Sequence, residues 1–284
     1  LRESMTEREL DTALREGAAM SFEEILAVAL SEDESTEARP DAVLRIADLG
    51  PLAIELRGNA VVAEGRASSR ARELLAFLAA HPEGVTRNEA GVAFWPDASE
   101  ESVKNSFHVT LHRLRKLLGD SKAITSVGGR YTIALPFIAD STRFEKAMTS
   151  ALRKSPADIA TLETAIALYR GDYLYGENAG EWADPVRSRL RQLLIRALFA
   201  LGSATEARGR LDDAAEAYSR VLARDPFHEA AARQLMICRA RLGLRSESLL
   251  VYRQLEDRLR DDLQAAPEPE TATLYRRLRQ NEAV

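Results

Sequence analysis

The feature that most constrains the fold of this chain is an amphipathic helix predicted from about residue 100 to Leu118. Its apolar residues recur three and four positions apart, as on the buried side of a helix. They are Val103, Phe107, Leu111, Leu114 and Leu118. The remaining surface carries Asn105, His108, His112, Arg113, Arg115 and Lys116. Asp97 or Ser99 can cap the start, and Gly119 can end the helix. The sequence therefore predicts a helix with one core-facing side and one cationic side.

The segment after this helix has the pattern of a tight β-hairpin. Two β-favouring runs, residues 123–127 and 130–133, are joined by Gly128 and Gly129, which accept the positive φ angles of a two-residue turn. A helix followed by such a hairpin is typical of the recognition helix and wing of a winged-helix module, whose helix enters the major groove of DNA. Arg130 then lies where a wing would carry a cation. The alternative is a solvated amphipathic helix beside an ordinary hairpin.

Two further helices and several strands are predicted before this helix. Ser68 or Ser69 can cap a helix that ends before Pro82, and Thr86 with Glu89 forms a capping box that opens a second, short helix. Short apolar runs separated by Gly-containing turns come earlier and predict strands. These runs cover residues 44–49, 52–56 and 60–62. The predicted order is β-sheet, three helices and a hairpin.

This order resembles the OmpR/PhoB-type winged helix. The similarity to the DNA-binding half of the antibiotic-regulatory-protein (SARP) family of bacterial transcriptional activators covers residues 43–136. It lies in the strings LGPLAIELRGNAV, RARELLAFLAAHPEGVTRNEAGVAFWPDAS, NSFHVTLHRLRKLLG and GGRY. The resemblance implies that residues 41–137 form a domain that binds double-stranded DNA. Its contact surface would comprise Lys104, Asn105, His108, Val109, His112, Arg113, Arg115, Lys116 and Arg130. Lys116 is included because it lies on the cationic side of the predicted helix.

Three of these positions depart from the OmpR-type pattern. Asn105, His108 and His112 stand where OmpR-type recognition helices often have Arg. Base contacts depend on the hydrogen-bonding groups that a side chain offers. The departure therefore concerns which DNA sequence is recognised, rather than whether DNA is bound.

Beyond residue 137 the chain is helical in pattern and contains an internal repeat. The positions Leu201, Gly209, Tyr218 and Val221 recur thirty-four residues later as Leu235, Gly243, Tyr252 and Leu255. This period is typical of tetratricopeptide helical hairpins, whose small residues let paired helices approach. The predicted fold class is thus an α+β winged helix followed by an all-α, tetratricopeptide-like domain over residues 138–284.

The helical region also resembles the bacterial transcriptional activator domain that follows the winged helix in SARP proteins. The motifs LYRGDYL, Glu181-Trp182 and DPFHEAA carry this resemblance. Gln264 departs from it, since the family usually has a Gly that closes a helix there, and a longer or looser turn is expected. The resemblance implies that this domain supports a homodimer, presents the winged helix to DNA and contacts RNA polymerase holoenzyme.

Residues 1–40 form a separate segment. Thr6 with Glu9 and Ser21 with Glu24 are capping boxes that predict two short helices, and residues 31–40 are polar and acidic, as in a linker. The string EGAAMSFEEILAVAL resembles the end of the helical-repeat region in signal-transduction ATPases with numerous domains (the STAND class). This resemblance implies that the chain is the C-terminal output part of a longer regulator.

The charge of the chain becomes informative when it is resolved along the sequence. The formal net charge is -5 at pH 7, yet residues 104–130 contain six basic residues and only one acidic residue, Asp120. Salt screens exposed charges beyond about 8–10 Å, so this local excess governs attraction to DNA phosphates. Because the cationic surface is small, we expect two copies, or a partner protein, on DNA.

The sequence contains no pattern typical of an enzyme. It has no Walker A motif, and His108 and His112 have the spacing of a metal-binding pair without a third ligand nearby. The single cysteine, Cys238, suits a reducing cytoplasm, and no apolar run is long enough to span a bilayer. We therefore expect a cytoplasmic protein with no cofactor and no membrane contact. A sequence-specific transcriptional activator is the leading hypothesis. The alternative is a protein-interaction scaffold or signal-transduction module whose winged helix does not bind DNA.

Overall fold

The computed structural model describes residues 44–61, 66–153, 158–177 and 179–282. The chain divides into two units, Leu1–Ala42 and Val43–Val284, and all described residues belong to the second. The two capped helices and the acidic linker predicted within residues 1–40 lie outside the described residues.

A four-stranded sheet begins the described chain. Strands β1 (Leu44–Ala47), β2 (Ala53–Leu56) and β3 (Asn59–Ala60) form the antiparallel hairpins that the sequence predicted. The fourth strand, β7 (Phe137–Ala139), pairs in parallel with β1 and was not predicted. Because β7 spans residues 137 and 138, where the domain boundary was predicted, the chain enters its helical region from within this sheet.

Three helices and a second sheet follow β3 in the predicted winged-helix order. The helices are α1 (Arg66–Ala80), α2 (Arg87–Phe94) and α3 (Glu100–Leu117). The hairpin consists of β5 (Ile124–Val127) and β6 (Arg130–Ile133), and the short strand β4 (Val85–Thr86) pairs with β6. Gly128 and Gly129 take positive φ angles of 58° and 79° at the hairpin turn, as predicted.

Local capping sets the limits of α2 and α3. The Thr86 hydroxyl accepts a hydrogen bond from the Glu89 backbone, and the Glu89 carboxylate accepts one from the Thr86 backbone, which confirms the capping box. The Ser99 hydroxyl caps α3, and Gly119 follows its end with a φ of 65°. Both ends of α3 therefore agree with the sequence prediction.

The predicted cap of α1 was wrong. This helix begins at Arg66, so Ser68 and Ser69 lie inside it. The Ser69 hydroxyl donates to the Glu73 carboxylate at 3.2 Å, one turn further along the helix. An acceptor one turn away satisfies the hydroxyl within the helix, so Ser69 has no need to cap it.

The apolar stripe predicted for α3 forms the core of the winged helix. Val103, Phe107, Leu111, Leu114 and Leu118 are all buried. Helix α2 approaches α3 closely at Gly91, where a Cβ atom would lie 2.7 Å from Cγ1 of Val103. Only a residue without a side chain allows this separation, and Gly91 thus sets how α2 supports α3.

The remainder of the chain is helical. Its helices are α4 (Asp140–Arg153), α5 (Ile159–Ala167), α6 (Asp184–Glu206), α7 (Leu211–Arg224), α8 (Glu229–Arg241), α9 (Arg245–Leu263) and α10 (Pro269–Arg279). A short 3-10 turn, Glu181–Ala183, precedes α6. The helical pattern predicted beyond residue 137 is confirmed.

Helices α6 to α10 pack as tetratricopeptide-like hairpins. Tyr218 is fully buried, and a Cβ atom at Gly202 would lie 2.6 Å from its ring. Its equivalent in the next repeat, Tyr252, is also buried and stacks on Tyr275 with ring centroids 4.0 Å apart. The small and aromatic residues of the repeat therefore determine the packing of paired helices.

Gln264 ends α9 in a left-handed conformation, with φ 53° and ψ 33°. Its backbone N–H bonds to carbonyls of the last turn, as the N–H of a glycine does at this position. The looser turn expected here was wrong, because glutamine adopts the backbone conformation that favours glycine.

Aromatic residues join the winged helix to the helical region. The ring of Trp182 lies 4.8 Å from that of Phe77 and 5.9 Å from that of Phe94. The Tyr173 hydroxyl donates to the carbonyl of Ala76 at 3.4 Å. Buried side chains of both regions form one continuous hydrophobic cluster. The winged helix is thus packed directly on the first helices of the helical region.

A buried carboxylate lies at the same junction. Asp48, which is 1% exposed, accepts hydrogen bonds from the backbone N–H and the hydroxyl of Ser141 in the first turn of α4. Burial raises the pKa of Asp48 from 3.8 to about 6, although both hydrogen bonds act in the opposite direction. Asp48 therefore links the end of β1 to α4, and the strength of this link depends on whether the carboxyl group is ionised.

Candidate nucleic-acid interface

The candidate site is the exposed side of α3. Seven of the nine predicted contact residues are exposed there, namely Lys104, Asn105, His108, Val109, His112, Arg113 and Lys116. Their side chains form no hydrogen bond or ion pair with another described residue. Glu101, which the sequence-based prediction omitted, is exposed on the same side. The helical periodicity of the sequence could have found it, since Glu101 precedes Asn105 by four positions.

These residues have a defined order around the helix axis, where successive residues are about 100° apart. Those along the middle of the exposed side fall within about 100° of one another. They are Glu101, Asn105, His108, Val109, His112 and Lys116. Lys104 lies at one edge and Arg113 at the opposite edge, about 180° away. The exposed side therefore has mostly polar groups along its middle, with Val109 and Lys116 among them, and a further cation at each edge.

The charges of α3 also complement its own dipole. Glu100 and Glu101 lie in the first turn, and Arg115 and Lys116 lie in the last. Acidic residues stabilise the N-terminus of a helix and basic residues its C-terminus. This arrangement places Arg113, Arg115 and Lys116 in the half of the helix nearer the hairpin, whereas Lys104 lies in the first half.

Arg115 does not lie free on this surface, contrary to the prediction. It is partly buried, and its guanidinium donates to the backbone carbonyl of Ile124 from Nη2 at 2.7 Å and from Nε at 3.2 Å. Arg115 therefore holds the end of α3 against β5. The periodicity placed it beside the core stripe, but only the tertiary structure gives it a partner.

Arg130 is also engaged within the chain. Its guanidinium lies 3.4 Å from the Glu89 carboxylate and donates to the carbonyl of Glu83 at 3.3 Å. Hydrogen bonds from Thr86, with a smaller contribution from Arg130, hold the pKa of Glu89 below its usual value. Arg130 thus pairs with Val127 directly beside the hairpin turn, but its guanidinium is held by the Glu89 carboxylate and the Glu83 carbonyl. Val127, on the other side of the turn, is 78% exposed.

The spacing of His108 and His112 does not lead to a metal centre in the part of the chain that the structure describes. No group of three metal-binding side chains occurs among these residues. No helix among them has the length and apolarity needed to cross a bilayer.

Known proteins resemble this chain over most of its length. The family model described as bacterial transcriptional activator domain matches residues 139–279. Regulatory protein AfsR of Streptomyces griseus is 28% identical over 258 residues, which cover 86% of this chain and 25% of AfsR. Transcriptional regulatory protein MoaR1 of Mycobacterium tuberculosis is 25% identical over 243 residues, which cover 81% of this chain and 77% of MoaR1. The chain thus spans about a quarter of AfsR and about three quarters of MoaR1.

A solved structure shares the fold. Mycobacterium tuberculosis EmbR, determined in complex with a low-affinity phosphopeptide, superposes with a TM-score of 0.70 at 23% identity, covering 85% of this chain and 66% of EmbR. In this chain a winged helix is thus joined to a region that matches the bacterial transcriptional activator domain, and the chain is similar to transcriptional regulators of the SARP family.

Proposed function

We propose that this chain is a sequence-specific DNA-binding transcriptional activator that inserts α3 into the major groove. The observation that carries the proposal is the exposed side of α3, on which Lys104, Arg113 and Lys116 have no partner among the described residues. The major groove is bordered by two phosphate strands, and the cations at the two edges of α3 match this arrangement. The hairpin β5–β6 would lie beside the adjacent backbone.

The test is to replace Lys104, Arg113 and Lys116 together with alanine. Each phosphate contact contributes roughly one to the slope of log affinity against log salt, so the variant should bind duplex DNA more weakly with a slope smaller by about two to three. Binding is measured by fluorescence anisotropy at several salt concentrations. The DNA ligand comes from a selection on random duplexes with the unmodified chain.

A matched control removes the same charge from the helical region. Arg196, Arg220 and Arg253 are exposed and form no ion pair with any other described residue, so their replacement with alanine should leave the slope unchanged. Equal losses in both variants would mean that only the overall charge matters. Unchanged binding in the α3 variant would contradict the proposal and favour the protein-interaction scaffold.

We further propose that two copies act together on DNA through the helical region. One copy of α3 offers few cations, and joining two copies raises the effective concentration of the second on a paired site. Sedimentation of the chain with selected DNA should show two copies bound to two half-sites at a fixed spacing. A 1:1 complex on a single half-site would contradict this proposal.

The family resemblance also supports contact with RNA polymerase holoenzyme in the cytoplasm. Transcription reconstituted with purified holoenzyme, on a promoter that carries the selected site, should increase when the chain is added. A promoter with a scrambled site is the control. DNA binding without any increase in transcript would contradict the activator role.

A further inference from the structure

A row of three side chains runs along the middle of the exposed side of α3. Glu101, Asn105 and Val109 are spaced four residues apart, so they lie one turn above another, with Cβ atoms roughly 5–6 Å apart. All three are exposed, and Val109 has 47% of its surface accessible although it is apolar. Within the described chain, the side chains of Glu101 and Asn105 form no hydrogen bond or ion pair. Folding of the winged helix therefore does not account for Asn105 or Val109, and it involves Glu101 only through the helix dipole.

We infer that this row recognises the major-groove edges of three bases: cytosine by Glu101, adenine by Asn105 and thymine by Val109. The inference rests on the proposed DNA binding and specifies its target. A carboxylate accepts a hydrogen bond from N4 of cytosine. A carboxamide accepts from N6 of adenine and donates to N7, and an aliphatic side chain contacts the C5-methyl group of thymine.

The charge of Glu101 identifies a base as its partner. A carboxylate repels phosphates, so Glu101 cannot contribute to backbone attraction when α3 lies on DNA. Glu100 lies 4.0 Å from Arg87, whereas Glu101 has no such cation among the described residues. Guanine presents only acceptors, N7 and O6, at the same edge. Glu101 therefore favours cytosine and disfavours guanine.

The cations at the edges would hold this row toward the bases. Lys104 and Arg113 lie on opposite sides of it, where contacts to the two phosphate strands fix the rotation of α3 about its axis. From Glu101 to Val109 the helix rises about 12 Å, at roughly 1.5 Å per residue. This length matches about four base pairs at roughly 3.4 Å each. The three bases should thus occur within one short stretch of the site.

Selection from random duplex DNA tests the inference. The unmodified chain should enrich a short motif that contains cytosine and neighbouring A·T pairs. Glu101→Ala and Asn105→Ala should each lose preference at one position of this motif, by about tenfold. Arg113→Ala, at one edge of the exposed side, is the control and should weaken binding to all sequences without changing the motif. All these side chains are exposed, so thermal melting should show that each variant is folded.

Removal of a single methyl group tests Val109 directly. Deoxyuridine in place of the selected thymine should weaken binding of the unmodified chain by about fourfold, the value for one apolar methyl contact. Val109→Ala should bind both DNAs equally. A motif that is unchanged in all three variants would overturn the inference while DNA binding stands. Failure of the unmodified chain to retain any duplex would overturn the proposed function and, with it, the inference.

Discussion

The guanidinium of Arg115 donates two hydrogen bonds to the carbonyl oxygen of Ile124, at 2.7 and 3.2 Å. The last turn of α3 is thereby fixed to the first strand of the hairpin. Arg113, two residues earlier, is exposed and has no partner among the described residues. The two arginines of one helix thus have different roles: Arg115 joins helix to hairpin, and Arg113 is available to a ligand.

Replacing each arginine with alanine should separate these roles. Arg113→Ala should reduce the salt slope of DNA binding by about one and leave stability unchanged. Arg115→Ala should lower the free energy of unfolding by about 1–3 kcal/mol, since it removes charged hydrogen bonds, and leave the slope unchanged. Urea unfolding and DNA titrations at several salt concentrations measure both. An equal drop in slope for Arg115→Ala would instead indicate a phosphate contact.

Truncation of a core leucine should unfold both regions together. Leu114 is fully buried, so Leu114→Ala should destabilise the protein by about 2–5 kcal/mol. The hydrophobic cluster continues from the winged helix through Trp182 into the helical region, so one transition is expected by calorimetry. Val127→Ala, at an exposed position, should leave the melting temperature unchanged. Two separate transitions for Leu114→Ala would show that the regions fold independently.

The close approach of α2 and α3 predicts a specific steric conflict. Gly91→Ala places a Cβ atom 2.7 Å from Cγ1 of Val103, whose branched side chain has little rotamer freedom in a helix, and should destabilise the protein by about 1–3 kcal/mol. Adding Val103→Ala should remove this conflict, so the double variant should lose less stability than the two single losses combined. Additive losses in urea unfolding would contradict this direct contact.

Asp48 should make stability depend on pH. Its pKa is about 6 in the folded chain against 3.8 as the reference, so between these values the folded state holds the proton more often than the unfolded state. The contribution of Asp48 to stability is therefore greatest below about pH 4, falls as pH rises through 4 to 6, and amounts to about 1–3 kcal/mol. Asp48→Asn should lack this component. Identical pH profiles of urea unfolding for both proteins would contradict the prediction.

Glycine should be more stable than glutamine at the end of α9. Gln264 has a φ of 53°, a conformation that costs a residue with a Cβ atom about 1 kcal/mol. Gln264→Gly should therefore raise the free energy of unfolding by about 1 kcal/mol or slightly less, because glycine gains entropy when unfolded. Gln264→Ala is the control and should give no increase. A destabilised glycine variant would mean that the glutamine side chain contributes contacts of its own.

Local patterns were sufficient for most of the fold. The apolar spacing of α3, the Thr86–Glu89 capping box and the Gly128-Gly129 turn each involve residues close in sequence, and the structure confirms all three. The thirty-four-residue repeat likewise predicted the packing around Tyr218, because the two helices of each hairpin are close in sequence. Such interactions recur whenever the same residues have the same spacing.

The candidate site was predicted in part. Helical periodicity determined which residues share the side of α3 opposite the core. The same periodicity places Glu101 on this side. It could not show that Arg115 and Arg130 have partners, because Ile124 and Glu89 come near them only when α3, the hairpin and α2 pack together.

The sequence by itself determined the helices, the hairpin, the repeat and the amphipathic side of α3. Only the tertiary structure decided that β7 joins β1, that Trp182 packs on Phe77, and that Asp48 is buried against Ser141. Each of these pairs is separated by roughly ninety residues or more, and neither partner alone carries a signal for the other. Packing of the two members excludes water from both at once. The free energy of each contact therefore arises only when the chain is folded.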